Sequence, residues 1–572
     1  MSAKPSLVIV DDTYDDAPFA ASISNPPEQP YIPLGVEKGC IVAFSHLHGD
    51  IAKLRPRDLA PAKLKHLFGV TWYREMDDWL KSSKDASTTK AKLSVGDFIM
   101  DQCQAIGPYV RSAERRTGVW PHPSGGLVIN CEKAWRSTGG FLDPGIHGSH
   151  VYPIGQALGF GPATPEATPM EVTKVMGFFK SFKWKEPFAA EFLLGWFGVA
   201  MCAAAVRRRP HILITGRAGS GKSTLLDRLV RLLGPQVQGF TGSPSLAGLH
   251  QAMADRPHTA VAIDEFESDA RNQKTKDTLE VARASYSLQE GDAGVVRGGI
   301  DGHAKSYRIA SCFIAAGVSP GAMEPADATR WVVLEALAAD AGSPYKAAAL
   351  SAEDIRLLGP RMSRLFIARW PVFQESLEVF QAAIADVGGD PRAADTFGYL
   401  LAGYWAFSNE SQASEAEAAA VVAAAGIGHR LKSQVSHDEV ECLTALLSRK
   451  SLFEVPKGDS TSNVKLPIRE AMRYVAQRRS GWQRTKEQLA QLGMRPEMVK
   501  GSWVVFVATS ASHVELKKVF SGTKWAHGGW GVVLRRLPGG RENTQRLSPN
   551  EAPCKVVQFD LPTELLPVDT DI

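Results

Sequence analysis

Residues 211–230 read HILITGRAGSGKSTLLDRLV, and this stretch limits the possible folds more than any other. Ile212, Leu213, Ile214 and Thr215 are apolar or β-branched, the pattern of a short buried strand. Gly216-Arg217-Ala218-Gly219-Ser220-Gly221-Lys222-Ser223 then fits G-x-x-x-x-G-K-[ST] at every fixed position. Leu225, Leu226, Leu229, Val230, Leu232 and Leu233 follow at helical spacing. Strand, glycine loop and helix is the context in which this motif cradles phosphates. Gly216, Gly219 and Gly221 let the backbone curl so that successive N–H groups face an anion, and the helix start adds the positive end of its dipole. The expectation is an ATP site formed by the loop through Thr224. In it Lys222 reaches the β- and γ-phosphates, and the Ser223 hydroxyl holds Mg²⁺.

A second half-site follows. Thr259-Ala260-Val261-Ala262-Ile263 reads as a buried strand with Asp264-Glu265 at its end. Acidic residues at the carboxyl end of a nucleotide-binding strand lie beside the phosphate loop. Asp264 is expected to complete the Mg²⁺ shell, and Glu265 to polarise the attacking water as a general base. Residues 310–317, ASCFIAAG, predict the next sheet strand, running into Val318-Ser319-Pro320. Ser319 is the polar candidate at that strand end for contact with the γ-phosphate. Asparagine is the commoner residue there, so its role stays open.

Between these strands, residues 293–308 form two short alternating runs around a Gly/Asp-Gly turn, the signal of a hairpin. Arg297, His303, Lys305 and Arg308 lie on its legs and tip. Either they track a DNA phosphate backbone or they form a solvated basic turn. Asp327-Ala328-Thr329-Arg330 precedes the apolar run Trp331-Val332-Val333-Leu334. Arg330 is a candidate to stabilise the γ-phosphate of a neighbouring subunit, with a structural ion pair as the alternative.

Around this core, 572 residues leave room for three or four domains. Residues 1–30 are acidic and proline-bearing and read as a flexible arm, and 31–165 as an N-terminal α+β domain. In the latter, a strand is expected at 40–45, helices over 64–80 and 95–106, and strands at 117–120 and 126–130. The ATPase core with its preceding helices occupies 166–350, an alanine-rich helical domain 351–432, a mixed module 433–560 and an acidic tail 561–572. In the mixed module, a helix at 486–492 and a strand at 503–507 are the pattern of a winged helix.

Seven cysteines occur without a C-x-x-C pair, which excludes a zinc ribbon and fits a reducing compartment. His46-Leu47-His48-Gly49-Asp50 lacks the further ligands a metal site needs and reads as a polar turn. The first residues lack signal-peptide architecture. The apolar run that begins after Glu191 is too short to span a bilayer and reads as a helix packed on the ATPase sheet. A net charge of +4 permits a nucleic-acid partner without arguing for one.

The order of phosphate loop, D-E strand, basic hairpin, strand and arginine resembles superfamily 3-type helicases of the AAA+ class, and more closely the helicase portion of phage and prophage primase-helicases. Val295-Val296-Arg297-Gly298, the stretch 394–403 (ADTFGYLLAG), Gly522-Thr523-Lys524-Trp525 and Arg535-Arg536-Leu537-Pro538-Gly539 share in the likeness. The resemblance implies an α/β protein: a P-loop AAA+ ATPase core with an N-terminal α+β domain, a helical region and a C-terminal winged-helix-like α+β module. It further implies ATP and Mg²⁺ as cofactors, a homo-oligomeric ring such as a hexamer, and DNA as partner. The setting is replication of a mobile element in the bacterial cytoplasm, with no membrane involved. The zinc-binding primase module of longer members has no counterpart in the cysteine spacing, so a separate primase is a candidate partner.

Three functions remain open from the sequence. One is a DNA helicase or translocase. The second is an AAA+ switch (a loader, packaging accessory or defence ATPase) acting on a protein. The third is a small-molecule kinase, which shares the phosphate loop but rarely a D-E strand and basic hairpin.

Overall fold

The computed structural model describes residues 26–82, 93–110, 113–123, 125–267, 273–289, 292, 294–298, 304–318, 323, 325–338, 350–434, 438–457, 460–509, 513–523, 525–526, 528–549 and 552–562. The chain divides into two compact units, Met1–Leu431 and Lys432–Ile572, each with its own apolar core. The expected arm, residues 1–30, lies outside the described residues up to position 25, as does the tail from 563 onward.

The first unit begins with an antiparallel sheet of Tyr31–Glu37, Cys40–Ser45 and Asp50–Leu54. The single helix expected over 64–80 is two, Pro61–Phe68 and Val70–Ser82, separated at Gly69, whose φ is 98°. The periodicity hid the break because Leu64, Phe68, Trp72, Met76 and Leu80 stay on one face and enter one cluster. The helix Val95–Ile106 has the expected bounds and starts with a capping box between Ser94 and Asp97. Gly118–Pro121, Leu127–Asn130 and Trp135–Arg136 form a second small sheet.

The strand before the glycine loop belongs to a five-stranded parallel sheet. Its order is Val237–Thr241, Ala260–Asp264, Phe313–Gly317, His211–Thr215 and Trp331–Glu335. All-parallel sheets need cover on both faces. Helix Lys222–Leu233 buries Leu225, Leu226, Leu229, Leu232 and Leu233 in the large cluster on one face. On the other, Phe266, Leu279, Val281, Ala282 and Trp331 form a second cluster. The hairpin is present as Val295–Gly298 paired antiparallel with Ala304–Tyr307.

Helix Ala189–Met201, the apolar run of the sequence, is buried along its whole length. Among the described residues no helix is long and apolar enough to cross a membrane. It packs backbone to backbone on helix Pro391–Ser408: a Cβ on Gly195 would stand 1.9 Å from the Leu400 carbonyl oxygen, and one on Gly403 2.6 Å from that of Gly195. Helix Ala352–Ala368 meets the phosphate-loop helix in the same manner, Gly359 lying against the Leu232 carbonyl. One core therefore runs from the small sheet at Val119 through the phosphate-loop helix to Ile427.

In the second unit, helix Trp482–Gln491 leads into the antiparallel pair Met494–Val499 and Ser502–Ala508. That is the helix-then-strands order expected for 486–507. The pair is part of a four-stranded sheet, continued by Cys554–Asp560 and Arg541–Gln545. A second hairpin, Lys450–Lys457 with Ser460–Pro467, precedes helix Ile468–Ala476.

Two stability predictions follow from this packing. Gly195→Ala forces the two buried helices apart and is expected to cost about 1–3 kcal/mol, read as a lower urea midpoint by circular dichroism. His211, at the head of the phosphate-loop strand, is fully buried; its Nε2 lies 2.8 Å from the Ala282 carbonyl oxygen, and the Phe313 N–H donates to Nδ1 at 3.1 Å. Burial pushes the imidazole from 6.5 down to about 3. The unfolded chain thus binds a proton that the folded chain refuses, so stability present above pH 6.5 is lost as pH falls toward 3. The urea midpoint is expected to fall between pH 7 and pH 5, with a shallower slope in a His211→Gln variant.

Candidate functional site

The register sets the site. Thr215 is level with both Gly317 and Glu335, Ile263 with Ala315, and Thr241 with Asp264. The carboxyl ends of the strands are therefore aligned. The phosphate loop, Asp264–Glu267 and Val318 leave the sheet side by side, where open α/β sheets bind ligands.

In the loop, Gly216, Gly219 and Gly221 have φ of 146°, 80° and 89°, which side chains resist. Gly216 is also excluded from carrying a side chain by space, since a Cβ would meet the Ala336 oxygen at 2.2 Å. Arg217, Ala218, Gly219, Ser223 and Thr224 are exposed, while Ser220 is buried. Helix Lys222–Leu233 starts directly from Gly221, so its free N–H groups open onto the loop. Lys222 Nζ donates to the carbonyl oxygens of Gly216 at 2.7 Å and Arg217 at 2.9 Å. Burial lowers its pKa, opposed by the charges of Glu267 and Asp264.

Ser223 Oγ donates to Asp264 Oδ1 at 3.1 Å, and the same oxygen accepts the Glu265 N–H at 2.9 Å. A hydroxyl from the first turn of a helix and a carboxylate from a strand end thus converge, a hard-oxygen donor set suited to Mg²⁺. Glu265 is exposed and holds φ of 55°, a left-handed conformation rare for a residue with a side chain. Two contacts hold it there: Phe266 is fully buried with its N–H donating to the Ala316 oxygen at 2.8 Å, and the Glu267 N–H reaches the Glu265 oxygen at 2.9 Å. Strain at such a point is a mark of functional sites.

Glu267 escaped the sequence reading. Its Oε1 accepts the Val318 N–H at 2.5 Å, tying the acidic turn to the strand between it and the phosphate loop. Its signal in the sequence was a third acid two residues after Glu265, in D-E-F-E.

The remaining candidates stand apart from this cluster. Arg330 precedes strand Trp331–Glu335 and so lies at the opposite end of the sheet from the loop. It sits 5.6 Å over the Tyr286 ring, donates to the Ala326 carbonyl, and is depressed in pKa by burial and by Arg392. Arg297 and Lys305 are direct cross-strand partners on the hairpin. His303 and Ser319 lie outside the described residues. His48, from the polar turn at 46–50, has Nε2 at 2.9 Å from the His66 carbonyl oxygen.

Residues 194–241 match the family profile described as the P-loop containing region of AAA domain. No curated protein matches the chain in sequence. Similar solved structures include the A form apo structure of NrS-1 C terminal region, at 10% identity over 76% of this chain and 95% of that one, with a TM-score of 0.30. A second form of that region, 305–718, is 11% identical over 91% and 93%, with a TM-score of 0.29. The X-ray structure of JCV Helicase is 12% identical over 36% of this chain and 55% of that one, with a TM-score of 0.23.

One prediction comes from the turn geometry. A Cβ on Gly317 would meet the Phe266 carbonyl oxygen at 2.3 Å. Gly317→Ala is therefore expected to displace the Asp264–Glu267 turn. Nucleotide hydrolysis should fall by up to about a hundredfold, the scale of a misplacement of about 1 Å, while nucleotide binding measured by fluorescence titration stays close to wild type. With loop, acidic turn and family match together, the chain has a P-loop nucleotide-binding core.

Proposed function

We propose that the protein is an ATP-driven DNA helicase or translocase acting as a ring in the replication of a phage or mobile element. The observation that carries the hydrolase part is the convergence of Lys222, Ser223, Asp264 and Glu265 at the carboxyl end of the sheet. Lys222 would neutralise charge on the β- and γ-phosphates while the loop N–H groups orient them. Ser223 and Asp264 would hold Mg²⁺, which supplies charge neutralisation between those phosphates. Glu265, projecting from its strained turn, would orient the attacking water and take up its proton. Arg330 cannot serve its own loop from the far end of the sheet. As a catalytic arginine it would act in a neighbouring copy, which requires a head-to-tail assembly.

DNA as the partner is supported by the hairpin. It is inserted between the acidic strand and the strand beside the phosphate loop, and it pairs Arg297 with Lys305. Two cationic residue types level in register on an antiparallel ribbon suit a phosphate backbone. An ATPase switch that acts on a protein partner is the second reading.

Hydrolysis is expected to rise with single-stranded DNA, more at low salt than at high, and to drop about a hundredfold or more in Glu265→Gln. Hydrolysis that ignores DNA at both salt concentrations would favour the protein-directed switch. Arg330→Ala and Lys222→Ala proteins are each expected to be inactive, and mixing them should restore turnover. In the mixture, a Lys222→Ala subunit supplies Arg330 to an intact loop. Mixed assemblies with no recovered activity would remove Arg330 from the mechanism.

A further inference from the structure

At the end of the sheet away from the phosphate loop, the first unit carries a half-open cavity of about 560 Å³. It reaches from Glu37 and Lys53 of the N-terminal sheet, past Arg115 and Trp120, to residues just before the core strands: Arg209, Pro257, His258, Ile309 and Ala310. Five-residue strands separate the two ends of the sheet by about 16 Å, so this space is distinct from the nucleotide site.

Six cationic and three anionic side chains line the cavity. Two acids are engaged locally, Glu37 with Lys53 at 2.6 Å and Glu114 with Arg116 at 2.8 Å. Asp255 is the third. Positive charge therefore prevails, and part of it is deeply set. Arg209 is only 4% exposed, and it is held by neutral groups: its Nε donates to the Ala203 oxygen at 2.7 Å and its Nη1 to the Leu288 and Ser285 oxygens at 2.8 and 3.3 Å. Carbonyl dipoles orient a guanidinium but do not cancel its charge, so desolvation remains costly. Arg308 joins from the wall, donating to the Gln289 oxygen at 3.1 Å, and Arg115 lies 4.7 Å over the Trp120 ring.

These three arginines line the cavity together with His258, whose ring meets Trp120 edge-on at 4.5 Å. Burial, then Arg209 and Arg115, push its imidazole down to about 3, with Arg308 adding to the effect. Its Nδ1 is buried without a hydrogen-bond partner. The net charge of the lining, with Arg209, Arg115 and Arg308 beside a neutral ring, is what an anion would balance.

We propose that this cavity is a second anion site that binds a phosphate oxyanion through Arg209, Arg115 and Arg308 beside His258. Guanidinium forks suit phosphate, and a volume of this size admits a phosphate ester with part of its substituent. Two sources carry that chemistry. Gln289 and Arg308 flank the basic hairpin in sequence, so a DNA phosphodiester running to the hairpin would pass here; a free phosphate compound is the other source. The site itself does not depend on the helicase reading.

The test uses the full chain carrying Lys222→Ala, which silences the phosphate loop, titrated calorimetrically with inorganic phosphate. Phosphate should bind, and Arg115→Gln or Arg308→Gln added to that protein should weaken binding about tenfold or more each. No phosphate binding, or binding that neither substitution alters, overturns the proposal. Arg115 packs on Trp120, so thermal midpoints are recorded for every variant; half-buried Arg308 keeps the test decisive if Arg115 variants unfold. Competition with a fluorescent oligothymidylate separates the sources. If phosphate displaces it and the same substitutions weaken both, the natural ligand is the DNA backbone. If the oligonucleotide is indifferent to phosphate, the ligand is a free phosphate compound.

Discussion

The pairing of His211–Thr215 with strand Phe313–Gly317 is the interaction on which the rest of the core depends. It sets the phosphate-loop strand and the acidic strand two strand spacings apart, about 10 Å, with Phe313–Gly317 between them. In that gap Gly317 permits the Phe266 carbonyl to approach, and Glu267 fastens to the Val318 N–H. The acidic turn is thus held by the strand between it and the loop. Asp264 comes within hydrogen-bonding distance of Ser223 without the two segments being paired directly. His211 secures the other end of the same strand, accepting from Phe313 with a ring buried neutral.

Close backbone approach recurs outward from the sheet. Gly195 and Gly403 let the wholly apolar helix lie on its partner, and Gly359 does the same for the phosphate-loop helix. Each removes a side chain from a contact between helices, so dispersion acts over the shortest distance. The segments from 119 to 427 consequently share one core, and the phosphate loop is carried by a body much larger than its own sheet. A site built on such a frame has little freedom to deform, as holding Glu265 at a left-handed φ requires.

Local pattern made much of this legible. The loop, its strand and its helix could be placed from spacing alone, because glycine at positive φ and leucines at helical period have no cheap alternative. Strand Cys40–Ser45 and helix Val95–Ile106 were equally clear. The helix over 64–80 was not, since a glycine break that leaves the apolar face continuous does not interrupt the period. Glu267 and His211 were hidden because an acid in a turn and a histidine before a strand look ordinary until their partners, 51 and 102 residues away, are known.

By itself, then, the sequence determined which residues could handle phosphate and metal. That chemistry is local: Gly216 to Ser223 bends and donates as a unit, and Asp264-Glu265 ends an apolar strand. Only the tertiary structure decided which of the candidates meet. It brought Ser223 to Asp264, sent Arg330 to the far end of the sheet, and gathered Arg115, Arg209, His258 and Arg308 from four separate segments into the lining of one cavity. The reason is physical. Parallel strand order is fixed by how helices cover both faces of a sheet and bury their apolar sides. That is a property of the whole chain, which no short window contains.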